Sequence, residues 1–287
     1  MKLQAVVVLY RQTIAESKTI ASLNRHFPES APPMEVLVYD NSPCRQASEP
    51  PVSLRTPVTY VHDPSNGGLV PAYNLGLQLA NQCGAGWLLL LDQDTELTCR
   101  YFEVLAEALD SYDGDPGIAA MAPHILARGR CVAPTWFRYG MHRRMRLSWR
   151  GVAHRPITGI NSATVVRTSF LNEVGGFDGE YPLNFTDYWL FREIYRRRRS
   201  VAVLDCSLAH EMSSAHRDTF RPVPLYRDIL LHEGKFYRSS GSRMVACLFW
   251  LRLMLRVVKH FIVFQDKGYA REALSYIRRE LLPGARR

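Results

Sequence analysis

Short, unbroken apolar runs alternate with segments whose apolar residues recur every three to four positions. Residues 4–10, 36–39, 58–61, 87–91, 117–122 and 201–205 carry the runs. Their lack of polar alternation marks strands buried on both faces. Between them, residues 13–27 place Ile14, Ile20, Leu23 and Phe27 at helical spacing, until Pro28, Pro32 and Pro33 intervene. A second helix opens on Pro71, a residue suited to a first turn, and stops after Cys83 at Gly84 or Gly86. Residues 101–112 set Phe102, Leu105 and Leu109 on one face, and residues 188–196 form a further helix. Residues 43–57 are polar and proline-rich and read as loop. The alternation predicts an α/β fold: a mostly parallel, Rossmann-like sheet flanked by crossover helices.

From residue 224 the composition shifts to helix formers, with helices expected over 225–238, 242–264 and 268–282. The chain thus divides into a sheet domain, 1–223, and a helical appendage, 224–287. The middle helix is apolar around most of its circumference and is broken by Arg252, Arg256 and Lys259 on one stripe. Those charges argue against spanning a bilayer, whereas a wide apolar face with a basic stripe suits a membrane interface. Arg278-Arg279 and Arg286-Arg287 add charge that suits anionic lipid. The competing reading is a helical cap packed on the first domain or on a second subunit in a homodimer.

A chain of 287 residues with 47% apolar composition has room for one large α/β domain or for one domain plus an appendage. Its 36 Lys and Arg against 27 Asp and Glu give a net charge of +9, which asks for an anionic partner such as a phosphate-bearing substrate or an anionic lipid face. The cysteines (Cys44, Cys83, Cys99, Cys131, Cys206, Cys247) are scattered without a C-x-x-C pair. That speaks against a zinc site or a disulfide framework and for a reducing, cytoplasmic setting. The first apolar run is too short for a signal-peptide core, and charges interrupt every stretch long enough to cross a bilayer. No G-x-G-x-x-G follows the first strand, which counts against a dinucleotide dehydrogenase.

The candidate chemistry sits where the strongest apolar run, Trp87-Leu88-Leu89-Leu90-Leu91, ends in Asp92-Gln93-Asp94-Thr95. Ligands of open α/β sheets bind beyond the carboxyl ends of the strands. If the chain stays extended, Asp92 and Asp94 point to the same side. Converging carboxylates are costly unless a cation or donors face them, so a divalent metal site is one reading. The other is a turn in which Asp94 or Thr95 caps a helix starting near Leu97. Likewise Gly67-Gly68, at a helix entrance, either lets backbone N–H groups approach a phosphate or simply makes a turn. Residues 127–155 are basic and aromatic, a poor core that fits an acceptor- or membrane-facing flap or a solvated hairpin.

In order along the chain, these segments resemble family 2 glycosyltransferases of GT-A fold, and more narrowly the bacterial rhamnosyltransferases that use dTDP-rhamnose. The matching elements are Tyr39-Asp40-Asn41-Ser42 and Asn66-x-Gly68 with Asn74-x-Gly76. Leu91-Asp92-Gln93-Asp94-Thr95 follows, and then Thr158-Gly159 through Val174-Gly175-Gly176-Phe177-Asp178 to Asn184-Phe185-Thr186-Asp187-Tyr188-Trp189. They span about residues 3 to 215. The resemblance implies an inverting, metal-dependent transferase that moves a sugar from a nucleotide diphosphate onto a glycan or lipid-linked glycan, at the cytoplasmic membrane, with no nucleic acid as partner. Asp94, with Asp92 reaching the ion or the ribose, would hold Mg²⁺ or Mn²⁺ on the diphosphate. His210, after the last strand, is implied as a further ligand or phosphate contact. Asp187 is implied as the general base; the local alternative is a cap on the helix that follows it. Asp40, Asp63, Asn66 and Gly68 would border the nucleotide. Asp178 fits a turn-stabilising side chain, and Arg196 to Arg199 a solvated helix end.

Two other classes compete. A nucleotidyltransferase expects a glycine-rich, basic loop after the first strand, and Tyr10-Arg11-Gln12-Thr13 is not one. A basic scaffold with a decayed site fits the charge but not the retained Asp92, Asp94 and Asp187.

Overall fold

The computed structural model describes residues 2–28, 31–46, 56–210, 222–264 and 266–281. The Arg286-Arg287 pair and most of the expected 43–57 loop lie outside the described residues. The chain divides into two compact units, Met1–Trp136 with Arg143–Ala215 and Phe137–His142 with His216–Arg287.

The first unit is built on a 10-stranded sheet. β1 (Leu3–Leu9), β2 (Met34–Asp40), β3 (Val58–His62) and β4 (Trp87–Asp92) run parallel in the order β3-β2-β1-β4. Beyond β4 lies β12 (Thr164–Arg167), antiparallel both to β4 and to β6 (Ile118–Ala127). β13 (Ser200–His210) then pairs parallel with β6, and β10 (Gly151–Ala153) closes the edge. The sheet is thus mostly parallel with antiparallel insertions. Leu88 to Leu91 are 0% exposed, as an apolar run covered on both faces requires.

The helices pack by close approach. α2 (Val70–Cys83) ends at Gly84, left-handed at φ 69°, as a C-cap glycine should. Gly76 in α2 lies so near β1 that an added Cβ would sit 2.1 Å from Val6 Cγ2, so only glycine allows this helix-to-sheet contact. α1 (Lys18–His26) starts later than its apolar spacing suggests. Glu16 accepts from Thr13 N and Oγ1 in a turn ahead of it, and Ser17 caps the helix by accepting from Ile20 N. α3 (Cys99–Tyr112) is capped by Thr98, whose Oγ1 accepts from Tyr101 N at 3.2 Å. Neither Asp94 nor Thr95 caps it, which removes the capping alternative for that turn.

The basic 127–155 stretch is mostly sheet rather than one hairpin. β7 (Arg130–Ala133) returns on β6, while β11 (Ile157–Thr158), β8 (Thr135–Arg138) and β9 (Met141–Arg144) form a small sheet of their own. Met145 and Ala153 in this stretch are buried.

The second unit holds α6 (Val223–Arg238), α7 (Arg243–Val263) and α8 (Gly268–Leu281). Leu230, Phe236, Tyr237, Phe249, Leu253 and Tyr276 are buried in it. Arg256 and Glu233 form two bonds of 2.7 Å, and Arg227 pairs with Glu272. Arg252 donates to Gly140 O and lies over the Tyr237 ring at 4.8 Å. Arg252 and Arg256, two of the three cations on the α7 stripe, thus face inward within this unit, where carbonyl, carboxylate and ring partners answer their charge. Among the described residues no helix is long and apolar enough to cross a membrane.

Candidate active site

The carboxyl ends of the parallel strands fall level with one another: Val8 pairs with Asp92, and Leu9 and His62 both pair with Asp40. The Asp92–Thr95 turn is held from below by the start of α1. Ser17 Oγ donates to Gln93 O at 2.9 Å, and the Thr19 hydroxyl meets Asp92 O and both backbone groups of Thr95. Gln93 turns the other way, accepting from Tyr10 N at 2.7 Å. A two-residue strand, β5 (Thr95–Glu96), then pairs with the end of β13, setting His210 opposite Thr95.

That pairing brings distant residues together. Ligand atoms of Asp92, Asp94 and His210 all lie within 4.8 Å of one another. His210 Nδ1 is 3.5 Å from Asp94 Oδ1 and 3.1 Å from Thr95 Oγ1. Opposed ligands of a hard divalent cation stand about 4.2 Å apart at ordinary metal–oxygen lengths of about 2.1 Å. Two carboxylates and an imidazole within 4.8 Å are thus a donor set that closes on such an ion after small side-chain shifts. Burial raises the Asp92 pKa, helped by Asp94, while His210 and the Ser162 hydroxyl pull it down. A bound cation would reverse that cost.

Asp187 stands in the first turn of α5 (Thr186–Arg196), behind Phe185, which is left-handed at φ 71°. It is not the N-cap residue, although its Oδ1 accepts Tyr188 N at 2.8 Å. Burial lifts its pKa to about 7; the Tyr188 bond opposes this and the Asp92 charge adds to it. The carboxylate is therefore within electrostatic reach of Asp92.

The nucleotide-side residues differ among themselves. Asp40 is 0% exposed. Its Oδ1 accepts from Ser42 N, and its Oδ2 from Tyr60 Oη and Gln46 Nε2. Burial works against its charge, yet the bonds from Ser42, Tyr60 and Gln46 leave its pKa lowered. Asp40 shapes the turn after β2, and a ligand reaches it only if those bonds open. Asp63 is half-buried at the end of β3, accepting from Ser65 and from Tyr39 Oη, and both lower its pKa. Asn66 is exposed with a left-handed φ of 50°. Gly68, at φ 86°, is buried so tightly that a Cβ would lie 2.3 Å from Pro182 O. The Pro182 carbonyl accepts from both Leu69 N and Val70 N. The first two donors after the glycine pair at the entrance to α2 are thus spent on Pro182. Asp178 accepts from Glu180 N at 2.9 Å, the turn role expected of it. Arg197 and Arg199 pair with Glu173 rather than standing only in solvent.

Sequence reasoning missed Ser162, whose hydroxyl meets Thr95 Oγ1, and Tyr73, which is wholly buried. Both Asp92 and Asp187 act on the Tyr73 hydroxyl, after burial, to raise its pKa well above the usual value. The available signal for Ser162 was a polar Asn161-Ser162 pair directly before the apolar β12. A depression of about 660 Å³ along α2, lined by Asn74, Leu77, Asn81, Asn172 and Gly176, contains none of these acidic residues.

A family model described as Glycosyl transferase family 2 matches residues 12–161, which include Asp92 and Asp94 but stop short of Asp187 and His210. No curated protein matches the sequence. Among solved structures, S. aureus TarS 1-349 superposes with a TM-score of 0.53 at 15% identity, covering 97% of this chain and 92% of that one. TarS 1-349 in complex with UDP-GlcNAc gives a TM-score of 0.56 at 15% identity over 97% of this chain and 81% of that one. The complex with UDP gives 0.52 at 17% identity, over 94% and 74%. At these identities the likeness establishes the fold.

Proposed function

The chain belongs to glycosyl transferase family 2 and is a glycosyltransferase, and from that premise we propose that it transfers rhamnose from dTDP-rhamnose, with inversion, onto a glycan or lipid-linked glycan at the inner face of the cytoplasmic membrane. The observation that carries the reading is the meeting of Asp92, Asp94 and His210, with Asp187 in electrostatic reach, at the carboxyl edge of the sheet. The family implies a divalent cation, and the two carboxylates and imidazole are the residues that would hold it. Bound there, Mg²⁺ or Mn²⁺ supplies neutralisation of the leaving diphosphate. The imidazole in the donor set favours Mn²⁺.

The remaining chemistry falls to side chains. Asp187, with a pKa near 7, is deprotonated in a substantial fraction at neutral pH yet basic enough to accept a proton. It takes the proton of the acceptor hydroxyl while that oxygen attacks the anomeric carbon. The bond to the diphosphate oxygen breaks on the opposite face. Asp63, Asn66 and Gly68 border the nucleotide, with Asp40 stiffening the wall behind them. The Asp-Gln-Asp-Thr form of the carboxylate turn and the order of the four motifs favour the rhamnosyl donor. Asn184 stands where that group often has Asp.

Thermal shift with dTDP-, UDP- and GDP-sugars in Mn²⁺ or Mg²⁺ tests the reading. A selective shift by dTDP-rhamnose supports it. A selective shift by a UDP- or GDP-sugar reassigns the donor, and no shift with any nucleotide overturns it.

A further inference from the structure

The outer face of α7 presents an apolar stripe. Met244, Leu251, Met254, Leu255, Val258 and Ile262 recur at helical spacing and are 46–78% exposed. Cys247, an exposed free thiol, lies in the same line. At 1.5 Å per residue the helix is about 30 Å long. An apolar stripe of that extent is beyond what scattered surface residues explain. The inner face is already complete: Phe249, Leu253 and Val257 are buried there, and Arg252 and Arg256 are spent on Gly140 O and Glu233.

Charge decides what covers the stripe. Arg243–Val263 contains no acidic residue. Its remaining cations, Arg243 and Lys259, are exposed. At 100° per residue they border the stripe on opposite flanks. Two copies of this face packed together would bring cations to cations with no α7 carboxylate to meet them. An anionic surface meets both flanks, and an apolar face with basic edges is the form that settles at the boundary of headgroups and acyl chains.

We propose that the outer face of α7 seats in an anionic phospholipid bilayer, with Leu251, Leu255, Val258 and Ile262 entering the acyl boundary and Arg243 and Lys259 among the headgroups. The basic residues that anchor the chain are thus not the Arg252 and Arg256 that the sequence pattern alone suggests. This surface rests on the peripheral-membrane part of the proposed function and not on the identity of the donor.

Co-sedimentation of the full chain with vesicles of phosphatidylglycerol and phosphatidylcholine, against phosphatidylcholine alone, tests it. Binding to the anionic vesicles is expected, weakening as salt rises. Leu255→Glu with Ile262→Glu, both at exposed positions, reduces it at least tenfold. Arg243→Gln and Lys259→Gln each reduce it about fivefold. Sedimentation that is absent, or equal for the wild type and the Glu variant, overturns the proposal. So does a dimer in solution that the Glu variant dissociates, if no vesicle binding accompanies it. A nucleotide thermal shift on the same samples reads the catalytic reading separately, so the failure of one is distinguishable from the failure of the other.

Discussion

At the amino end of β4 a buried cation is fully answered. Arg167, 9% exposed, lies over the Trp87 ring at 4.2 Å. Its Nε donates to Ile118 O, its Nη1 to Asp113 O, and its Nη2 to Tyr112 O and Asp115 O. At the carboxyl end of the same strand, Asp92 and Asp94 converge, Asp187 stands within reach, and burial raises the pKa of both Asp92 and Asp187. Both ends share one sheet and one desolvated interior. One supplies its charge with four carbonyls and a ring; at the other, Asp187 accepts from Tyr188 N and Asp94 lies 3.5 Å from His210, yet burial still outweighs what Asp92 and Asp187 receive. Saturated burial stabilises, while unsaturated burial stores a demand that a ligand can meet. The two ends should therefore respond oppositely to substitution.

The largest effect is expected at Asp187. Asp187→Asn should lower turnover about 10³-fold. In the wild type, kcat/KM should rise with pH through about 7, as the carboxylate loses its proton. The effect on stability has the other sign. Because the folded pKa of about 7 exceeds the usual 3.8, stability from this group is present below about pH 4 and is lost as pH rises through about 7. Asp187→Asn should thus match or exceed the wild-type Tm at pH 8, with the gain vanishing toward pH 4. A fall in Tm alongside turnover would make the carboxylate structural and erase the contrast.

Arg167→Met should do the reverse. Removing the partner of four carbonyls, one of them fully buried, costs on the order of 3 kcal/mol by denaturant unfolding, with kcat of the folded protein near wild type. Lost turnover at unchanged stability would place Arg167 in the chemistry and break the comparison. A smaller effect is expected at His210, where His210→Gln should weaken Mn²⁺ binding about tenfold and shift preference toward Mg²⁺ by calorimetric titration. Equal affinities would remove His210 from the ligand set. The smallest change belongs to a bond at neither end. Asn74 donates to Phe177 O at 3.0 Å and accepts from Phe177 N at 2.7 Å, tying α2 to the turn ahead of α5. Asn74→Ala should cost about 1 kcal/mol in unfolding experiments, and no loss would show that water replaces both bonds.

The apolar runs, the helix stop at Gly84 and the placement of Asp92 and Asp94 at a strand end were legible along the chain, because they depend on local periodicity and on what a buried strand can tolerate at its exit. The extents of α1 and α3 were less so, since Ser17 and Thr98 cap them by side-chain bonds that compete with helical spacing. Only the tertiary structure decided that β13 pairs with β5 and sets His210 beside Asp94, that Thr95 meets Ser162, and that Asp40 is sealed behind Tyr60 and Gln46. The same holds for α7, where hydropathy marked the apolar residues but could not say which face is covered. Periodicity reports how much of a segment must be buried. Which charge finds a partner depends on other segments, as with Glu233 for Arg256 and Gly140 for Arg252, and the packing of the chain chooses among them.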